Sequence, residues 1–214
     1  MSMSFDASSA YDAAFAGRIT HWVDHVGRSQ PFEVGQWSAS ADAADHELFV
    51  SPCNAATIDV GCGPGRLVAA VAARRVPAMG IDVSSEAVRQ ARARGAVAMC
   101  RDLFDDLPCE GQWDFGLLAD GNLGIGGDPV RLLRRLRDIV SPTGTAIVEV
   151  ARHGAGVAVE RRRLRVDGRL SEPFAWAVVG LDAVEDVARQ AGWRVSATRS
   201  IGVRHVATLH RDDR

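Results

Sequence analysis

The 214-residue chain contains no lysine, so all 25 of its basic side chains are arginines. Without lysine there is no side-chain amine for Schiff-base catalysis, no lysine general base and no P-loop lysine to hold a nucleotide phosphate. The bland reading of this bias, set beside the abundant Ala and Arg, is a GC-rich bacterial genome. Cysteine is scarce as well. Cys53, Cys62, Cys100 and Cys109 show no C-x-x-C spacing and lie in apolar or turn contexts, which points to free thiols in a reducing cytosol and away from a disulfide framework or a metal site. Charge of either sign is lacking in excess: 25 basic against 27 acidic residues leaves −2, no field for nucleic acid or an anionic membrane. No apolar run approaches the roughly 18 residues of a membrane span. Asp6, Asp12, His21, Asp24 and His25 interrupt the first thirty positions, so a signal-peptide core is not expected and the location should be cytoplasmic. Repeats and low-complexity tracts are absent, and no feature names a macromolecular partner, so a monomer or homodimer is expected.

What the chain has is the composition and length of one globular domain with a small cap. Residues 1–52 carry apolar and aromatic positions at helical spacing from Tyr11 to His25 and again from Ala39 to Phe49, predicting an N-terminal helical cap or lid. From 53 to 214 the pattern becomes strand, turn, helix. Strands are expected at Ala55 to Val60, Pro77 to Val83, Ala96 to Cys100, Trp113 to Leu118 and Thr145 to Val150. Helices are expected at Arg66 to Arg75, Ser85 to Arg94 and Pro129 to Val140. This alternation argues for a parallel sheet. Between about 157 and 179, Asp167-Gly168 separates two partly alternating segments, the signal of an inserted β-hairpin. A helix at Leu181 to Ala191 and strands at Trp193 to Ser200 and Val203 to His210 follow, the last pair joined too tightly for a crossover and hence antiparallel.

The first crossover reads Asp59-Val60-Gly61-Cys62-Gly63-Pro64-Gly65. A side chain at Gly61 or Gly63 would obstruct a ligand lying across this turn, and the helix beyond supplies backbone N–H donors to an anionic group. The dinucleotide fingerprint G-x-G-x-x-G fails, because from Gly61 its third glycine falls on Arg66. What stands is D-x-G-x-G-x-G, which resembles motif I of the class I S-adenosylmethionine-dependent methyltransferases. Asp82, with Val83 after it, ends the second strand, where a carboxylate can accept from both ribose hydroxyls. Asp102-Leu103 follows the third strand. The resemblance implies that the Asp102 carboxylate meets the adenine amino group and the next backbone N–H a ring nitrogen. Either acid alone also reads as a cap or turn residue. The segment from Leu117 to Asn122, continued by Gly124 to Pro129, looks like small methyltransferases common in actinobacteria.

The resemblance implies a Rossmann-like, mostly parallel seven-stranded α/β sheet with its last strand antiparallel, S-adenosyl-L-methionine as cofactor and a small-molecule acceptor. Asp59, Gly61, Cys62, Gly63, Gly65, Asp82, Val83, Asp102, Leu103 and Asp120 are the expected cofactor contacts. For a hydroxyl acceptor a base is needed. His153, just past the fifth strand, is the first candidate, against a plain loop histidine, and His205 the second. Asp120 and Asn122 follow the fourth strand and are read as holding the acceptor or the methionine amino group, against turn formation. Tyr11, Phe15, Arg18, His21 and Trp22 form the expected lid, with Trp37 and Trp176 as acceptor wall. His21-x-x-x-His25 lacks the glutamate of H-E-x-x-H, so no metal site is assigned. The run Arg161 to Arg165 is a solvated hairpin face or a rim attracting an acidic substrate. Rival readings are an N-methyltransferase, a nicotinamide-dependent reductase and a non-catalytic module that only holds the cofactor.

Overall fold

A computed structural model describes residues 5–32 and 34–212. The chain opens with α1 (Ala7–Phe15), β1 (Thr20–Val23), β2 (Ser29–Pro31), α2 (Gly35–Ser38) and α3 (Ala43–Asp45), the last running into a π-helical turn, His46–Val50. The core then alternates β3 (Thr57–Val60), α4 (Arg66–Ala73), β4 (Ala78–Asp82), α5 (Ser85–Ala93), β5 (Ala98–Cys100), β6 (Trp113–Leu118), α6 (Pro129–Ile139) and β7 (Val140–Val150). An insertion carries β8 (Val157–Val166), β9 (Arg169–Leu170) and β10 (Phe174–Val179). The chain closes with α7 (Val184–Gln190), β11 (Trp193–Ile201) and β12 (Arg204–Arg211).

Seven strands form the core sheet in the order β11-β12-β7-β6-β3-β4-β5, with β12 antiparallel to both neighbours and the β3 to β7 pairs parallel. Every residue of β3 is buried, as expected for a parallel strand covered on both faces. Local chemistry sets the helices. In α6, Asp128 caps the first turn by accepting from the Arg131 N–H at 2.9 Å, and Pro129 takes a position where its missing N–H costs nothing. Leu132, Leu133, Leu136 and Ile139 then recur at helical spacing on its buried face. Strand order reverses at β3, so the crevice outside its carboxyl end is where such a sheet accepts a ligand.

The cap departs from the helical reading. The helix expected over Tyr11 to His25 ends at Phe15, because Gly17, at φ +83°, turns the chain in the left-handed region just past the C-cap. The β-branched and aromatic Thr20-His21-Trp22-Val23 then pairs with β8 and β2. The hairpin turn Asp167-Gly168 forms as expected, both residues at positive φ between paired Val166 and Arg169. N-terminal segment and hairpin are therefore one antiparallel sheet, β10-β8-β1-β2, and α1 packs on it through Ala10, Ala13, Ala14, Leu164 and Val166.

Side chains tie this cap to the core. The Asp12 carboxylate accepts from Ser84 Oγ (2.6 Å), Ser85 Oγ (2.9 Å) and the Glu86 N–H (2.9 Å) at the start of α5. Gln90 Nε2 donates to the Phe15 carbonyl at 2.7 Å, and Arg94 donates to the carbonyls of Ser38 and Ala39. The N-terminal helix thus lies across the corner between β4 and α5, beside Asp82.

Candidate functional site

The turn after β3 is held open by backbone and amide contacts. Gly61 and Cys62 donate their N–H groups to the Ile81 carbonyl at 2.9 and 3.0 Å. Asn122 Nδ2 donates to the carbonyls of Val60 (3.0 Å) and Gly61 (2.8 Å), so a Cβ on Gly61 would stand 2.5 Å from that nitrogen. Gly63 differs: a Cβ there would meet only Phe15 Cζ, at 3.8 Å. The side of the turn facing the cap is thus free space roofed by an aromatic ring from α1.

Three acids lie at or just past the carboxyl ends of β3, β4 and β5. Asp59 is 3% exposed and accepts no hydrogen bond from any described residue. Burial pushes its carboxyl up to about 7; Arg66 opposes the shift, while Asp120, Asp82 and Asp45 add to it. Asp82 accepts from the N–H of Gly63 and of Ser84, each at 2.8 Å, so one carboxylate pins the glycine turn to the start of α5. Burial still holds its carboxyl above the ordinary carboxylate range, a weaker acid than a free one. Two acceptor sites of this carboxylate are used, leaving lone pairs for a diol. Asp102 is exposed two residues past β5, and its Oδ1 accepts the Phe104 N–H at 2.9 Å, an ordinary turn bond. Leu103 is buried behind it, Val83 is exposed, and Cys62 and Gly65 are buried in the turn.

Asp120 occupies left-handed backbone, φ +54°, with its N–H donated to Glu149 Oε2 at 2.7 Å. Its carboxylate, 22% exposed, is held by arginines. Arg66 Nη1 and Nη2 grip it at 2.7 and 3.1 Å, and the same guanidinium binds Asp45 through Nε (2.8 Å) and Nη2 (3.0 Å). Arg204 closes the network, donating to both oxygens of Glu149 at 2.9 Å and to Asp45 Oδ1 at 2.7 Å. Three carboxylates and two guanidiniums thus join the cap, the glycine-turn helix, the β6 end, β7 and β12. Asp45, Arg66, Glu149 and Arg204 were all missed by sequence reasoning. One signal existed for Arg66: a cation in the first turn of a helix opposes the macrodipole and calls for acidic partners. For Arg204 there was none.

The remaining expected site residues divide. Tyr11 makes ring contacts with Trp22 (6.2 Å), Phe32 (5.7 Å) and Phe174 (6.1 Å). Burial raises its phenol above the ordinary range, with Asp82 adding to the shift and Arg162 opposing it. Trp37 is 5.2 Å from Phe32 and 6.3 Å from Phe15, and its buried indole N–H has no partner. Trp176 is 6.1 Å from Trp22, and its Nε1 would stand 2.7 Å from a Cβ on Gly124, two residues beyond Asn122. Trp37 thus approaches the turn through Phe15 and Trp176 through the Gly124 segment, whereas Tyr11 lies among the rings of the cap. Arg18 does not approach the turn: it pairs with Asp167 at the exposed hairpin tip. Nor does His21, which pairs with Arg165 in the sheet and by alternation lies on the face opposite Trp22. With His21 in β1, the helical face shared with His25 does not exist. His205 lies in β12 opposite Val150, its Nδ1 2.7 Å from Ser200 Oγ and on the strand face opposite Arg204. His153 is exposed in a loop whose Gly154 and Gly156 N–H groups donate to Asp182. Among the described residues no cluster of three or more His, Cys, Asp and Glu suits a metal, and no helix is long and apolar enough to cross a membrane.

Residues 58–144 match the family model described as a methyltransferase domain. No curated protein matches the chain. Among solved structures it is similar to an S-adenosylmethionine-dependent methyltransferase from Bacteroides fragilis in complex with S-adenosyl-L-homocysteine. That match has TM-score 0.79 and 18% identity, over 96% of this chain and 94% of that one. It is also similar to the 1,6-didemethyltoxoflavin-N1-methyltransferase of Burkholderia thailandensis (TM-score 0.63, 16% identity, 96% and 89% covered). A third similar structure is an O-methyltransferase from neocarzinostatin biosynthesis, in complex with S-adenosylmethionine and 2-hydroxy-5-methyl naphthoic acid (TM-score 0.60, 21% identity, 79% and 52% covered). The fold is the one these methyltransferases share.

Proposed function

We propose that this protein is an enzyme that transfers a methyl group from S-adenosylmethionine to a small molecule, with a hydroxyl oxygen as the preferred acceptor. The observation that carries the reading is Asp59: a buried carboxylate without a hydrogen bond, behind a glycine turn whose cap-facing side is free. A carboxyl only 3% exposed and without a hydrogen bond is open to a partner supplied by a ligand, and a cationic amino acid group is such a partner. The residues present therefore fit the cofactor. Asp82 holds a ribose diol, and Asp102 with the backbone after it holds the base. The cofactor supplies a methyl already activated on a cationic sulfonium.

The work left to the protein is alignment. Asn122 fixes the carbonyls of Val60 and Gly61 and is itself held by its N–H on the Ala119 carbonyl, and Phe15 roofs the turn and excludes water. Holding the reactants at about 3–3.5 Å supplies several kcal/mol of the barrier. His153 takes the proton of the acceptor hydroxyl. The O-methyltransferase and the N1-methyltransferase among the similar structures each support small-molecule chemistry on this fold.

The test is a screen of hydroxyl and amine acceptors for transfer of labelled methyl, with wild type and His153→Ala. Transfer to a hydroxyl compound, lowered about 10²-fold by the substitution, supports the reading. Transfer to amines alone, unaffected by the substitution, favours the N-methyltransferase, and cofactor binding without turnover on any acceptor favours the non-catalytic module.

A further inference from the structure

The inner face of the cap sheet carries a second set of groups. Trp22 pairs with Leu164 and Gln30, Phe174 with Arg162, and Trp176 with Glu160. Directly paired residues share a face, and Leu164 fixes which one, since it packs against α1. Around this set lies a recess of about 490 Å³ lined by Trp22, Asp24, Arg28, Gln30, Glu160 and Arg162. From its aromatic neighbours the link to the crevice runs through Trp176, 6.1 Å from Trp22 and packed against the Gly124 turn.

Arg162 is the informative group. Its guanidinium lies 5.4 Å from the Trp22 ring centroid, and Nε donates to Glu160 Oε2 at 3.0 Å. Both terminal nitrogens lack a hydrogen-bond partner among the described residues, although the side chain is only 24% exposed. Glu160 and Trp22 hold the guanidinium still while its outer edge stays free, the fork geometry that receives a carboxylate in two parallel hydrogen bonds. Trp22 is the one aromatic residue of the lining, and Phe174 and Trp176 stand beside it on the same face of the sheet, ring centroids 5.9 and 6.1 Å away, where a flat molecule can meet them.

We propose that this recess receives the methyl acceptor, and that the acceptor is a planar aromatic compound whose carboxylate is bound by the terminal nitrogens of Arg162. The inference rests on the methyltransferase reading above and adds the substrate class. Arg161, next in the chain and on the opposite face of β8, takes no part.

The experiment is calorimetry on the whole protein saturated with S-adenosylhomocysteine, using naphthalene-2-carboxylate and its neutral amide as probes. The carboxylate binds at least about tenfold more tightly than the amide to wild type and to Arg161→Gln, whereas Arg162→Gln brings the two within about twofold and Arg162→Lys restores part of the preference. Equal affinities in wild type, no binding of either probe, or a preference surviving in Arg162→Gln would overturn the proposal. The wild-type comparison stands even if a variant fails to fold. Loss of S-adenosylhomocysteine binding in wild type sinks the methyltransferase reading itself, whereas intact cofactor binding with no carboxylate preference sinks only the substrate class.

Discussion

Replacing Arg66 by Met tests the ion network most sharply. The guanidinium is 7% exposed and makes four hydrogen bonds, two to Asp45 and two to Asp120. Breaking a buried pair costs about 3–5 kcal/mol, because the partner is left charged and unpaired. Here Asp45 keeps Arg204 at 2.7 Å, while Asp120 keeps only Arg204 at 3.8 Å. The loss should therefore lie near the lower end, about 3 kcal/mol, or roughly 6–12 °C in Tm for a chain of this size. Burial already holds the Asp120 carboxyl above its ordinary range with Arg66 present, and without Arg66 it rises further. A carboxylate raised in the folded state above its unfolded value costs stability at high pH and less as pH falls through the folded value. Urea unfolding at pH 8 and pH 5.5 should accordingly show the larger loss at pH 8, and Arg66→Met/Asp120→Asn should recover part of it. A loss under about 1 kcal/mol, or one that grows toward acid, would refute the reasoning.

Two further outcomes follow from the glycine turn. Asp59, with its carboxyl at about 7, must ionise to meet a cationic ligand group, so affinity for S-adenosylmethionine should rise between pH 6 and 8, with about tenfold lost per unit below the midpoint. Asp59→Asn should flatten that dependence, and a flat wild-type titration would count against the assignment. Gly61→Ala puts a Cβ 2.5 Å from Asn122 Nδ2 at φ +72°, which costs about 1–2 kcal/mol in backbone alone. Cofactor affinity should fall together with Tm, and unchanged affinity would show that the Asn122 brace is dispensable.

Much of the core was legible from local signals. The β3 to β7 strands and α4 to α6 are short apolar runs and capped amphipathic turns whose ends are marked by Gly, Pro, Asp and Ser, so spacing alone placed Asp59, Asp82 and Asp102 at strand ends. The cap was not, because β1 becomes a strand only through β8, far along the chain, and Tyr11, Phe15, Arg18 and Trp22 imitate helical spacing across a break that Gly17 makes. The same non-locality hid the ion network. Asp120 was expected to touch ligand, but its carboxylate is bound to Arg66, a partner that local patterning around residue 120 does not announce.

The central claim is that a sulfonium nucleoside occupies the crevice outside β3. Calorimetric titration of the intact protein with S-adenosylhomocysteine, and separately with NAD, tests it most directly. Saturable one-to-one binding of S-adenosylhomocysteine, strongly weakened in Asp82→Ala and with no heat from NAD, is the predicted result. NAD binding in its place, or no S-adenosylhomocysteine binding at all, would contradict the account.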